Sequence, residues 1–235
     1  MIPNVSTERG LWPACGINEA NVAMTATESI SSNPLVMGGD PLVFYKKASK
    51  RGEKDIPGGI GEEDLVCLVL PYIKSAKEGV LRVGELLEKY GTYESNGMAF
   101  ADKDEIWWVE TIGGHHFVAA KIPDDQVVIM PNHFGLDHFD FDDALGKQKN
   151  YICSKDLKEF VMSNHLVTDL DGNFDPRIAF GSHSDQDHIY NTSRSWYMYN
   201  YFKKAQQYRA MKKAKEYDAS EEPFEVNISS SIKVK

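Results

Sequence analysis

Hydrophobic and polar positions change period near the middle of the chain. From Glu62, the segment EEDLVCLVLPYI sets Leu65, Leu68, Val69 and Ile73 on one face of a 3.6-residue period. Its acidic residues fall in the first turn, where the helix dipole favours them. Pro71 should kink or end this helix, because it cannot donate to the ladder. Ser75 and Glu78 then form a capping-box pattern that opens a second helix through VLRVGELLEKY, and Gly91 suits its C-terminal cap. Beyond Tyr90 the period falls to two. GMAFAD, EIWWVETI, HHFVAAKI and QVVIMPN are four short apolar runs split by Asp-Lys-Asp, Gly-Gly and Pro-Asp-Asp, which predicts successive antiparallel hairpins.

The flanks are less regular. GINEANVAMTATESI reads as one strand, or as two short ones around a Glu-Ala-Asn turn. Residues 31–61, rich in proline and glycine with a central charge cluster, predict a long loop. A helix is expected from Ser154 through SKDLKEFVMSNH, and a last long one through YNTSRSWYMYNYFKKAQQYRAMKKAKEY with Thr192 as its N-cap. Helices beside an antiparallel meander make an α+β layered architecture. Residues 1–202 form the domain; residues 203–235 are the end of the last helix and a tail.

Composition narrows the function classes. The 235 residues are 42% hydrophobic and 26% charged, in the range of globular proteins. A net charge of −9 argues against nucleic-acid or anionic-membrane partners, and the basic run KKAQQYRAMKKAKE has the spacing of a solvated helix face. Cys15, Cys67 and Cys153 are scattered without a CxxC pair, which suits a reducing cytoplasm. No apolar run is long enough to span a bilayer, and MIPNVSTERG lacks the charged and apolar regions of an export signal.

One stretch combines strand-like periodicity with unusual polar residues: WWVETIGGHHFVAAKIPDDQVVIMPNHF, from Trp107 to Phe134. Gly113-Gly114 reads as a hairpin turn or bulge where positive φ costs little. His115 and His116 follow it on a strand, so their side chains should point to opposite faces, a poor arrangement for chelating one metal. A metal-binding protein rich in His and Asp is the alternative, on NHFGLDHFDFDD, HSDQDH and DLDGNFD. A calcium loop, however, needs glycine sixth and glutamate twelfth, whereas Gly172 comes fourth in DLDGNFD and no glutamate stands twelfth.

Five phrases in order are distinctive: GINEANVAMTATESI, LPYIKSAKEGVLRVGELLEKYGTYESNGMAFAD, EIWWVETIGGHHFVAAKIPDDQVVIMPN, DPRIAFGS and YNTSRSWY. Over residues 8–202 the chain resembles the bacterial dipeptidase A family, cysteine peptidases of the N-terminal-nucleophile (Ntn) hydrolase superfamily. The resemblance implies an αββα sandwich of antiparallel sheets with flanking helices, dipeptide substrates, and no metal or organic cofactor. Members begin their mature chain with a catalytic cysteine in a segment resembling CTT…DGS…RNED. No such segment occurs here, so the expectation is an internal, incomplete portion of the fold, inactive alone. Its partner would be the missing N-terminal segment or a second copy of the chain. In this chemistry the side chain of the first residue attacks the carbonyl while its free α-amine takes the proton. Cys15, Cys67 and Cys153 cannot supply that amine and read as buried small apolar side chains.

What the resemblance assigns to this chain is a supporting shell. Asn132, ending VVIMPN, matches an oxyanion-hole asparagine, although it also suits a turn after Pro131. Arg177 in DPRIAFGS matches an arginine that holds the nucleophile region, and a surface ion pair is its plainer role. Glu28, beside Thr27, falls at a position where an acid suits a substrate ammonium, or else the N-terminal charge of a helix. His115 and His116 complete the expected substrate contacts.

Overall fold

The computed structural model describes residues 2–7, 10–25, 28–167, 174–202 and 225–227. In chain order these form β1 (Ile2–Thr7), β2 (Gly10–Ile17), β3 (Ala23–Met24), β4 (Glu28–Ser29), α1 (Pro34–Gly39), α2 (Glu62–Val69), α3 (Ala76–Tyr90), β5 (Asn96–Ala101), β6 (Ile106–Ile112), β7 (His116–Ile122), β8 (Gln126–Val128), α4 (Phe141–Ala144), β9 (Tyr151–Cys153), α5 (Leu157–Ser163), α6 (Pro176–Phe180), α7 (Asp185–Phe202) and β10 (Glu225–Asn227). Eight strands build one sheet in the order β1-β2-β3-β5-β6-β7-β9, with β4 also on β5, and every pairing in it is antiparallel. Antiparallel strands with segregated helices make the fold α+β.

Local signals set the first face of this sheet. Ser75 Oγ accepts from Glu78 N–H at 3.2 Å while the Glu78 carboxylate accepts from Lys74 N–H at 2.7 Å, so the capping box forms one residue wider than the ideal pattern. Gly91 closes α3 with φ of 67°, a conformation that disfavours a side chain. Pro71 ends α2, which continues only as a 3-10 turn, Leu70–Tyr72. Leu65, Val69, Val80, Val83 and Leu87 of α2 and α3 pack on Met98, Phe100, Trp107, Val109, Phe117 and Ala119 of the sheet.

The opposite face is covered as well. Trp108, Ile112, Val118, Ala120 and Ile122 point away from α2 and α3 and meet Phe134, Leu136, Leu157, Phe160 and Phe180, which come from short helices and the segments between them. Two-sided burial explains why IWWVETI reads as an unbroken apolar run: six of its seven residues are buried.

Four expectations need correction here. β8 does not continue the meander: it pairs with β10, and the short β9 occupies the edge of β7. The helix expected from Ser154 begins at Leu157, because Ser154 Oγ accepts from Phe117 N–H at 3.0 Å and ties that residue to the sheet. The last helix begins at Asp185, so Thr192 is inside it; Ser184 Oγ accepts from Asp187 N–H at 3.2 Å and takes the capping role. The loop expected over residues 31–61 contains α1, capped by Asn33, whose side chain accepts from Leu35 and Val36 N–H. GINEANVAM resolves into the end of the eight-residue β2 and the two-residue β3, around a turn.

The close approach of α3 to the sheet decides the sign of a substitution. A Cβ at Gly79 would lie 2.5 Å from the buried Phe100 ring, and one at Gly84 would lie 2.6 Å from Phe117. Replacing a mid-helix Gly by Ala gains roughly 1 kcal/mol of helix propensity, but overpacking a closed core costs roughly 1–3 kcal/mol. Gly79→Ala and Gly84→Ala should therefore lower the urea midpoint with an unchanged slope; a raised midpoint for either would contradict this packing.

Candidate functional site

Two polar places stand out around the sheet. The first is the β6–β7 turn. Gly113 has φ of 54°, and a Cβ there would lie 2.4 Å from the Asp40 carbonyl oxygen, so only glycine allows this approach. The buried Asp40 carboxylate then meets the turn directly. Its Oδ2 accepts from His115 N–H at 2.7 Å, its Oδ1 is 2.8 Å from His115 Nδ1, and its Oδ2 is 2.6 Å from His116 Nδ1. Burial pushes the Asp40 carboxyl up, but the bonds from His116 and His115 outweigh it and hold the group below its ordinary value. His116 also stacks on Phe160 with ring centroids 4.2 Å apart. The expected divergence of the two histidines is overturned. His115 belongs to the turn, and only His116 opens β7, so strand alternation does not apply to the pair. They line a cavity of about 680 Å³ with Asp40, Glu85, Glu88 and Asp156.

The second place is a cleft of about 380 Å³ lined by Ser29, Ser31, Asn132, Ser184, Gln186, Asp187, Tyr190 and Asn191. Asn132 reaches it from a bend four residues after β8, not from the strand end itself. Three residues on, the same loop is fastened from below. Glu110, on β6 and fully buried, accepts through Oε1 from Gly135 N–H at 2.7 Å, Trp108 Nε1–H at 3.0 Å and Leu136 N–H at 3.4 Å. Burial raises its carboxyl to about 7, against the pull of those bonds and of the Arg177 charge. Arg177, mostly buried, sits in α6, with its N–H on the Leu136 carbonyl at 2.9 Å and its guanidinium 3.6 Å from Asp175. Burial, with the positive charges of Arg177 and Arg194, drives His133 down to about 4, so its imidazole is neutral at pH 7.

Arg177 is thus tied to the loop that carries Asn132, but it is not among the residues that line the cleft. Glu28 lies on β4, opposite Gly97, next to the cleft residue Ser29, and its side chain is outside what is described, as is Thr27. As strand residues, Glu28 and Ser29 do not sit at a helix N-terminus. His115 and His116 line the other cavity and not this cleft. Of the cysteines, only Cys153 is buried, and burial together with the Asp156 charge pushes its thiol up to about 12; Cys15 and Cys67 are partly exposed. Among the described residues no three of His, Cys, Asp and Glu converge as a metal ion would require; Gly172 and most of DLDGNFD lie outside them. Glu110, His133, Asp187 and Asn191 were not singled out from sequence. A lone acid inside a two-sided apolar run was the available sign for Glu110.

The raised Glu110 carboxyl has a definite linkage sign. The folded protein holds this proton from pH 4.5 up to about 7, so stability is full below the unfolded value and falls as pH rises through that window. The full shift corresponds to about 3 kcal/mol. Glu110→Gln keeps an acceptor for the three donors without the charge. It should be more stable than the parent at pH 8, with the difference shrinking towards zero near pH 4.5, as read by urea unfolding at both pH values. A constant difference across pH would show that Glu110 is not the titrating group.

Known proteins share this arrangement of sequence. The model of peptidase family C69 matches residues 1–234. The chain is 55% identical over 199 residues to a dipeptidase of Bifidobacterium longum (strain NCC 2705), covering 84% of this chain and 37% of that protein. It is 52% identical over 198 residues to a probable dipeptidase A of Streptococcus pyogenes serotype M1, covering 84% and 38% of the two chains. To dipeptidase A of Lactobacillus helveticus it is 50% identical over 196 residues, covering 83% and 38%. The chain therefore spans little more than a third of the length of these relatives. By the match along its length and by these identities, this chain belongs to peptidase family C69.

Proposed function

We propose that this chain carries the supporting shell of a dipeptide-hydrolysing site of the cysteine Ntn type, within an αββα sandwich of which the eight-stranded sheet is one part. The observation that carries this reading is the loop of Asn132. Asn132 lines a cleft of dipeptide size while Glu110 and Arg177 hold the following residues in place. A donor fixed in this way costs no reorganisation when charge develops on a carbonyl oxygen, which is what an oxyanion hole requires. In this reading Asn132 is the oxyanion donor, and Arg177 steadies the region where the nucleophile arrives. Thr27 and Glu28, next to Ser29 in the chain, contact the substrate. The names of the relatives, dipeptidase and dipeptidase A, support the substrate class.

Mechanistically, the nucleophile is none of the three cysteines within these 235 residues. A thiol raised to about 12 is not a thiolate at neutral pH, which removes Cys153. Cys67 sits within α2 on the other side of the sheet. Cys15 is an internal residue of β2, so its nitrogen is an amide and cannot be the base that an Ntn nucleophile carries with it. The attacking cysteine and its α-amine come from a segment that begins with that cysteine and lies outside these 235 residues. His115 and His116, tied to Asp40, serve here by holding the β6–β7 turn to α1, at the edge of the site rather than in it. The three cysteines, none of them in a disulfide, agree with a reducing compartment such as the cytoplasm, and no described helix is long and apolar enough to cross a membrane.

Two assays test this. The purified 235-residue chain should not hydrolyse Ala-Ala, and turnover should appear when a separately made peptide beginning with the family's cysteine segment is added. Asn132→Ala should then lower the restored kcat by roughly 100- to 1000-fold, the usual loss for an oxyanion donor. Changing Cys15, Cys67 and Cys153 together to serine should leave it intact. Turnover by the chain alone that disappears with Cys15→Ser would show that the nucleophile is internal after all.

A further inference from the structure

The cleft that holds Asn132 contains a carboxylate to which the oxyanion reading gives no task. Asp187, in the first turn of α7, is half-buried, and it is the one acid among the described residues that line the cleft. Its Oδ1 accepts from Asn191 Nδ2–H at 2.6 Å. The same Nδ2 donates to the Asn132 carbonyl at 3.2 Å, and Arg194 Nη2 donates to Asn191 Oδ1 at 2.6 Å. A guanidinium can meet only the oxygen of an amide, so Arg194 fixes which way Asn191 points. The NH2 group must then face Asp187 and Asn132 together. Asn191 itself is 2% exposed, and this buried amide ties the carboxylate to the backbone of the loop that carries the proposed oxyanion donor.

The basic side chains around Asp187 are engaged elsewhere. His183, His188 and Arg194 all act on its charge. His183 Nε2 lies 3.2 Å from the Ile178 carbonyl, His188 Nδ1 lies 3.1 Å from Thr192 Oγ1, and Arg194 bonds to Asn191 and to the Tyr190 carbonyl. None of the described residues forms an ion pair with Asp187 within 4.0 Å. Partial burial raises its carboxyl, so the charged form is under-solvated, and an incoming cation with its own donors gains more there than at an open surface.

We propose that Asp187, oriented by Asn191, accepts the primary ammonium of the substrate and makes this cleft selective for peptides with a free N-terminus. The inference rests on the dipeptidase reading above. A peptide α-amine titrates near 7.7–8.0 and is mostly charged at neutral pH. Blocking it removes the charge and leaves one neutral amide N–H in place of three ammonium donors, so the partly buried carboxylate loses its charge compensation. A site built around a polar partner rejects the analogue that lacks it far more strongly than an apolar pocket rejects a missing methylene.

Binding, rather than turnover, is the measurement. The isotope-labelled 235-residue chain is titrated with Ala-Ala and with N-acetyl-Ala-Ala while the side-chain amides of Asn132 and Asn191 and the backbone of Ser29 are followed by NMR. Ala-Ala is expected to move all three and to bind at least roughly tenfold more tightly than the acetylated peptide, the scale of one charged hydrogen bond. Asp187→Asn should reduce that preference to less than about twofold with little change for N-acetyl-Ala-Ala, while Asp187→Glu should retain part of it. Circular dichroism melts of both variants check that they fold. Equal preference in the parent and in Asp187→Asn would overturn the assignment to Asp187, and so would a loss confined to Glu28→Gln; in both cases the dipeptide cleft itself would stand. If neither peptide moves Asn132 or Ser29, both the inference and the reading beneath it fail.

Discussion

Burying β6 on both faces leaves no place along it for an unbonded charge, yet Glu110 sits in its middle with no solvent exposure. The consequence runs outward from that residue. Its Oε1 draws in Gly135 and Leu136 N–H, which fixes the chain leaving Asn132, and Leu136 in turn accepts from Arg177 N–H. A carboxylate bonded through one of its oxygens inside the sheet thereby dictates the path of the buried segment 134–136. The cost of burying it shows in its raised carboxyl, near 7, which also keeps it partly protonated under ordinary conditions.

The core between the sheet and α2 and α3 is apolar, and Gly79 and Gly84 let α3 approach the Phe100 and Phe117 rings so closely that an added Cβ would clash. Rigidity of that layer matters for the other one. With Trp107 and Val109 fixed against α2 and α3, Trp108 and Glu110 have no freedom to shift, and the polar loops on the far face inherit a stable base. Asp40 repeats the same device at the end of the β6–β7 hairpin. There a single buried carboxylate gathers two imidazoles and a backbone amide, joining α1 to the turn.

Around the cleft, charge is arranged in opposition. Burial, with the charges of Arg177 and Arg194, keeps His133 neutral beside Asn132, while Asp187 in α7 lines the cleft. The cleft is lined by Asn132 on one side and by Asp187 of α7 on the other. Asn191 sets the distance between them, because it bonds both Asp187 and the Asn132 carbonyl.

Much of the fold was legible along the chain because it depends on residues a few positions apart. The Ser75 and Gly91 caps, the stop at Pro71, the change of period at Tyr90 and the β5–β6–β7 hairpins all follow from local hydrogen bonding and alternation. The motifs of the candidate site were visible too, in Asn132 and Arg177. What tertiary structure alone decided are the pairings between distant residues. β8 leaves the meander for β10, 225–227, and the three-residue β9 takes its edge, because strand partners compete across the whole chain and a short strand has no periodicity to announce itself. His115 and His116 converge on a carboxylate 75 and 76 positions away, Glu110 holds amides 25 and 26 positions away, and Asn191 reaches Asn132 across 59. Sequence spacing encodes side-chain direction only within one regular element, and each of these contacts joins a turn, a loop or a helix to another element.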